Sequence, residues 1–236
     1  MLSKKKREVS KGGSEIFRHE IVEPENKEIR PPAPSLFIDE ICAFFDKKFP
    51  NSETTVLHEV VSDLVHIDVH VLKPTDDRDF YVLYTTGMSD LPMNLPPQFK
   101  KYKALRRAEL FMYIPADTDV SERDFWAYGL LKFLARFPHE YKTWLAQGHT
   151  IPNYDYEPIV EGSELSCAIL LEMFEGITTK CKKGIKFYYV APISEAETQY
   201  KLENGVDALI DKFDEHNVPI VVDIFRKSVA MFSEKA

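Results

Sequence analysis

Two hydrophobic periodicities alternate along this chain. Val65, Ile67, Val69 and Val71 are interleaved with His66, Asp68 and His70, a period of two that predicts a strand with one apolar face. Residues 80–85 continue the pattern after the turn Pro74-Thr75-Asp76-Asp77-Arg78, and residues 109–114 repeat it up to Pro115. These short connections predict antiparallel neighbours. Helical spacing appears before them: Ser35 is placed to cap a helix carrying Leu36, Ile38, Ile41, Phe44 and Phe45, ending before Pro50. It returns after Ser121, where Phe125, Trp126, Leu130, Phe133, Leu134 and Phe137 predict a helix broken by Pro138. Tyr141, Trp144 and Leu145 predict one further helical turn.

Residues 148–164, with Pro152, Pro158 and Gly162, show neither period and predict an irregular segment. Residues 167–174 and 185–190 read as two more strands with Lys182-Lys183-Gly184 near the turn. Ser194 and Glu197 have the spacing of a capping box, so a helix begins there. A second runs over 206–216, and residues 219–225 predict a final edge strand. Strands in meander order with helices inserted in blocks define an α+β fold, a mainly antiparallel or mixed sheet flanked by helices. Residues 1–34 carry few large apolar side chains, a Gly12-Gly13 pair and Pro31-Pro32-Ala33-Pro34 at their end. This composition predicts a flexible tail ahead of one domain, residues 35–236.

Composition narrows the function. The chain has 236 residues, 44% hydrophobic, enough for a sizeable core. A formal charge of −8 disfavours general nucleic-acid binding and suits a basic protein partner. Cys42, Cys167 and Cys181 are odd in number and lack C-x-x-C spacing, which suits a reducing compartment and neither a disulfide framework nor a zinc cage. Lys4-Lys5-Lys6-Arg7 is followed by Glu8-Val9-Ser10-Lys11 rather than an apolar run, so neither a secretory signal nor a membrane span is expected. The expectation is a cytoplasmic protein.

Candidate chemistry is sparse. His66, Asp68 and His70 share one face of the predicted strand, but the two imidazoles stand about 13 Å apart along it, long for one metal ion. His149 with Asp155, Glu157 or Glu161 has the composition of a base and its orienting carboxylate. These two sets carry the enzymatic alternative, a small metal-dependent or hydrolytic protein. Ser163 lies in Glu161-Gly162-Ser163-Glu164-Leu165, which is not a nucleophile elbow, and no Walker loop or G-x-G-x-x-G occurs. The expectation is no catalytic residue, no metal and no cofactor.

The loop Thr85-Thr86-Gly87-Met88-Ser89-Asp90-Leu91-Pro92-Met93 is the most specific stretch. A strand stops there on Gly87, predicted to take φ > 0 or to lie against another backbone, with Asp90 capping local amides. Together with Gly148-His149-Thr150-Ile151-Pro152-Asn153 and Ala191-Pro192-Ile193-Ser194-Glu195-Ala196-Glu197, it resembles the suppressor-of-fused-like domain in its bacterial single-domain form. The resemblance spans residues 37–230.

It implies a non-enzymatic, protein-binding domain. Animal relatives join a second domain and grip a peptide of a transcription factor; bacterial relatives are inferred to be immunity proteins that neutralise a toxin. Leu134-Ala135-Arg136-Phe137 and His149 match the stretch near which the animal domain holds its peptide. Gly148 stands where that form has an acidic residue, and Phe137 lacks an aromatic hydroxyl, so the animal ligand is not implied. The expected partner is a cognate protein, a basic toxin domain in the immunity reading; a housekeeping interaction domain is the other protein-binding alternative. Candidate contacts are Thr86, Gly87, Met88, Asp90, Phe137, His149, Tyr154, Tyr156, Glu157 and Glu161, on a face shared by the Gly87 loop and residues 149–164.

Overall fold

The computed structural model describes residues 8–19, 34–60 and 64–230. Its ten strands are β1 (Glu8–Val9), β2 (Glu15–Ile16), β3 (Thr54–Leu57), β4 (Asp68–Leu72), β5 (Phe80–Thr86), β6 (Ala108–Pro115), β7 (Thr150–Pro152), β8 (Leu165–Glu172), β9 (Ile177–Thr178) and β10 (Gly184–Ser194). The α-helices are α1 (Ile38–Lys48), α2 (Trp126–Glu140), α3 (Glu195–Asn204) and α4 (Val206–Glu215). The large sheet has the order β3–β4–β5–β6–β10–β8–β7, with β9 beside β10. Neighbours are antiparallel except β6 and β10, which run parallel. The α+β architecture with a mixed sheet is therefore as the periodicities predict.

Helix α1 covers one face of the sheet with Ile41, Phe44 and Phe45, spaced to share one side of a helix. Phe45 stacks on Tyr84 at 4.0 Å and Phe44 on Phe187 at 4.2 Å, joining the helix to β5 and β10. On the opposite face α2 buries Leu130, Leu131, Leu134 and Ala135 against β4, β5 and β6. Beyond these lies a second, smaller cluster of Cys167, Ile169, Ile193 and Leu209, closed by α3 and α4.

Several local expectations need correction. Ser35 does not cap α1: its hydroxyl donates to Asp90 Oδ1 at 2.8 Å, the helix starts after Phe37, and Leu36 is exposed. Ser121 does not open α2, because its amide is taken by Asp119 and a turn intervenes before Trp126. Pro138 lies within the last turn of α2 rather than ending it. Residues 141–145 are not helical: Leu145 N–H is directed at Met93 Sδ. Residues 148–164 contain strand β7. Residues 219–225 form no strand; Val222 N–H donates to the Tyr113 carbonyl, Pro219 offers no donor, and the Tyr189 hydroxyl holds the Ile220 carbonyl. Within the expected tail, residues 8–19 form the β1–β2 hairpin; residues 1–7 and 20–33 lie outside the described residues.

The capping box at α3 is formed as predicted, Ser194 Oγ accepting from Glu197 N–H and Glu197 from Ser194 N–H. Glu197 is fully buried and also accepts from Val229 N–H and, at 2.6 and 2.8 Å, from both ends of the Arg226 guanidinium. One side chain thus starts a helix and anchors the carboxyl-terminal segment. Arg226→Met should leave that carboxylate uncompensated and cost about 3–5 kcal/mol, measured by urea unfolding. Glu197→Gln in the same chain should recover part of the loss; an unchanged midpoint for Arg226→Met would show that the pair contributes nothing.

Candidate functional site

The Gly87 loop is organised from beneath by Glu109. Among the residues of β6 it is the one acidic side chain in an otherwise apolar run, and it is fully buried. Its Oε1 accepts from Gly87 N–H at 3.1 Å, Ser89 N–H at 2.9 Å and Ser89 Oγ at 2.6 Å; its Oε2 accepts from Thr85 Oγ1 at 2.6 Å. All four donors are uncharged. Burial pushes the carboxyl up to about 7, the hydrogen bonds from Ser89 and Thr85 opposing the shift. Gly87 has φ +105°, and a β-carbon there would lie 1.8 Å from the His66 carbonyl oxygen. Both features expected of this glycine are present together.

The remaining polar groups of the loop are also engaged inside the fold. Thr86 Oγ1 meets His70 Nε2 at 3.1 Å, and the Met88 carbonyl accepts from His139 Nε2 at 2.9 Å. Arg107 donates to the Ser89 and Asp90 carbonyls. Asp90 does not cap its own loop; Oδ1 accepts from Ser35 Oγ and Leu36 N–H, fifty-odd residues away in sequence. Met88 is completely buried and Thr86 nearly so. Neither is a surface anchor, which corrects the expectation of a partner-contacting loop: this motif is an internal knot.

The histidine constellation separates. His66 Nε2 and His58 Nδ1 each lie 3.0 Å from a different oxygen of Asp68, while His70 stacks on Tyr84 at 4.7 Å. Among the described residues no group of three or more His, Cys, Asp or Glu is placed to hold a metal ion. His70 does approach Cys42, Nδ1 to Sγ 4.0 Å, with Thr86 behind it, the outline of a nucleophile, base and orienter. Its electrostatics run the wrong way. Burial raises the Cys42 thiol and lowers His70 to about 4, so both are neutral and the thiolate is disfavoured.

The other candidates lie elsewhere. His149 packs edge-on against Trp144 at 4.7 Å, and burial with the Lys201 charge lowers it to about 4. Its expected carboxylate partners follow β7 toward the opposite end of β8: Gly148 N–H bonds to Leu170 O, whereas Asn153 N–H bonds to Ser166 O. Glu109 lies at the end where β10 begins, and residues 153–164 at the end where β10 finishes against Leu165. The eight residues of β8 separate them by about 25 Å. The single shared face expected from the sequence is therefore not formed. Phe137 is half-buried between His19 and Tyr141.

Residues 153–164 are nonetheless ordered by their own bonds. Asn153 Nδ2 donates to the Glu157 carbonyl at 3.0 Å, and Glu157 N–H returns to the Asn153 carbonyl. Inside this clamp Tyr154 and Tyr156 adopt φ +45° and +64°, a left-handed backbone rare for side chains of this size. Tyr156 packs on the small Cys167 cluster, and Tyr154 is 81% exposed. Glu157 and Glu161 of the same segment are exposed. Glu109, Arg107 and Asn153 were absent from the candidates drawn from sequence; a lone carboxylate in an apolar strand was the available signal for the first.

The structure is thus a mixed α+β sheet whose motif residues are engaged inside the fold. The suppressor of fused protein (SUFU) family model matches residues 63–227, and the chain belongs to that family. It is similar to a solved suppressor-of-fused homolog from Neisseria gonorrhoeae, at 18% identity and a TM-score of 0.57, over 81% of this chain and 95% of that one. The protein solved as the Sufu–Fu complex is similar at 13% identity and a TM-score of 0.61, over 86% and 95%. Drosophila Suppressor of Fused is similar at 14% identity and a TM-score of 0.56; the chain covers 87% of itself and about half, 53%, of that protein. No curated protein matches the sequence. No helix among the described residues is long and apolar enough to cross a membrane.

Two outcomes follow from the loop geometry. Gly87→Ala should destabilise by more than the ~1–2 kcal/mol of a left-handed backbone alone, because the His66 carbonyl must also move, read as a lower urea midpoint at constant slope. Glu109 is raised from an ordinary 4.5 to about 7 on folding, so its stabilising contribution is complete below the lower value and is lost as pH rises through the higher. The stability difference between wild type and Glu109→Gln should therefore move against wild type between pH 4.5 and 7.5, by on the order of 1–3 kcal/mol. A difference independent of pH would mean that the group does not titrate there.

Proposed function

We propose that this chain is a non-enzymatic binding protein of the immunity type, capturing and neutralising a cognate bacterial toxin in the cytoplasm. The observation that carries the binding reading is the Asn153-clamped loop. Two aromatic residues in left-handed backbone cost about 1–2 kcal/mol each, and such strain at an exposed loop marks a geometry kept for use. It leaves Tyr154 81% exposed on a bonded loop, an aromatic of the kind that interface centres use. Exposed Asp155, Glu157 and Glu161 belong to the same segment on a chain of net charge −8, a complement to a basic surface. The toxin assignment is supported by the resemblance to the bacterial single-domain form and by near-complete coverage of the Neisseria homolog. That a similar protein has been solved as the Sufu–Fu complex supports a protein ligand. The enzymatic alternative is disfavoured by the neutral Cys42–His70 pair and by the dispersal of His66, His70 and His149.

An immunity protein must act at low concentration, which asks for Kd near or below about 1 nM, roughly −12 kcal/mol, and a buried interface of about 1,200–2,000 Å². The test is affinity capture from the native host with the full chain as bait, followed by co-expression with any captured toxin and a growth readout. Tyr154→Ala should lose the partner mainly through faster dissociation, and Glu157→Lys should slow association and flatten its salt dependence. A captured protein that is not toxic, or growth that is not rescued, removes the immunity assignment and leaves a general interaction domain. Undiminished capture by Tyr154→Ala removes the proposed surface.

A further inference from the structure

Helix α2 carries a second apolar stripe besides the one it presents to the sheet. Phe133, Phe137 and the adjoining Tyr141 recur every fourth residue, so their rings lie along one line. Ring centroids are 6.0 Å apart for Phe133 and Phe137 and 4.7 Å for Phe137 and Tyr141. All three are half-buried. What sits on the end of this shelf is the chain's own His19, edge-on to Phe137 at 5.5 Å and tilted against Tyr141 at 5.4 Å.

His19 follows the β1–β2 hairpin by three residues, and the construction of that hairpin is slight. Each strand has two residues, and the two pair with each other and with no strand of the large sheet. A two-stranded hairpin is marginal in water without support. Its internal ties include the exposed Arg18–Glu8 ion pair, Ser14 N–H to Ser10 Oγ, and the backbone bonds Ser10 N–H to Ser14 O and Gly13 N–H to Ser10 O. Its tip meets the body through glycine: Gly12 N–H donates to the Leu202 carbonyl at 2.8 Å, and a β-carbon on Gly12 would lie 2.4 Å from Gly205 N. The contact is therefore close, backbone to backbone, and sensitive to a single side chain.

We propose that the hairpin is an autoinhibitory gate: it holds His19 over the Phe137–Tyr141 end of the shelf in the free protein and withdraws when a protein partner binds. Its role in partner capture rests on the binding reading above, whereas its opening does not. A partner that needs the shelf meets a competitor tethered at high local concentration, so its apparent affinity falls by the fraction of molecules that are open. The gate thereby favours partners that offer enough further contact to displace it.

The test uses the full chain carrying Gly12→Val, which forces the tip away from Gly205, and separately His19→Ala, which removes the ring from the shelf. Hydrogen exchange at residues 8–19 should rise about tenfold or more in Gly12→Val, as for a local opening. Hydroxyl-radical oxidation of Phe137 and Tyr141 should increase in both variants, with Tm held within ~2 °C because the main core is untouched. Unchanged oxidation of the two rings in both variants overturns the gate. So does a cooperative fall in Tm in both, which would make the hairpin part of the main fold. In the capture experiment Gly12→Val should bind the partner more tightly than wild type, and equal binding overturns the inhibitory role. Should no variant capture a partner, the binding reading fails while the footprinting result still decides whether the hairpin opens.

Discussion

A single carboxylate without a counter-charge holds the most specific part of this protein in place. Glu109 is fully buried and surrounded by two hydroxyls and two backbone amides, each donating to it. Hydrogen bonds to a charged acceptor contribute about 1.5–3 kcal/mol each, which offsets part of the cost of enclosing the charge; burial still prevails and holds the carboxyl at about 7. Because Gly87 and Ser89 offer their amides to the same oxygen, the chain must turn sharply after β5, and only glycine fits at φ +105° against the His66 carbonyl. The turn then aims Asp90 at Ser35 and Leu36, so the entry into α1 depends on the same carboxylate.

A second buried glutamate does corresponding work at the other end of the sheet by different means. Glu197 has a charged partner, Arg226, and combines that pair with the capping box that begins α3. Glu109 is tuned by neutral donors and lies where protonation is within reach of ordinary pH; Glu197 fastens a remote carboxyl-terminal segment through a bidentate ion pair. The two anchors explain the Thr, Gly and Ser of the Gly87 motif and the Ser and Glu of the Ser194 motif. Those residues build the scaffold.

Recognition then falls to what the scaffold leaves outside. The loop after β7 is the clearest instance, since its bonds keep an aromatic residue pointed into solvent at a cost in backbone energy. The aromatic shelf on α2 is the other, and there the chain supplies its own cover.

The sequence by itself determined the features that depend on near neighbours. The turn before Phe80, the glycine that ends β5 and the Ser194–Glu197 box all act within a few residues, and each was legible; the Val65–Val71 alternation located β4 but not its start at Asp68 or its burial on both faces. The antiparallel pairing of β4 with β5 followed from a short connection, and the family resemblance carried the fold class. Tertiary structure alone decided the parallel pairing of β10 with β6, the choice of Asp90 as partner for Leu36 rather than its own loop, and the burial of Met88. It also divided the candidate surface, since residues close in sequence after β7 are carried the length of a strand away from Gly87. The reason is physical. A cap or turn is satisfied by groups at fixed sequence spacing, whereas a buried carboxylate accepts any donor the fold delivers, and spacing does not record which one arrives.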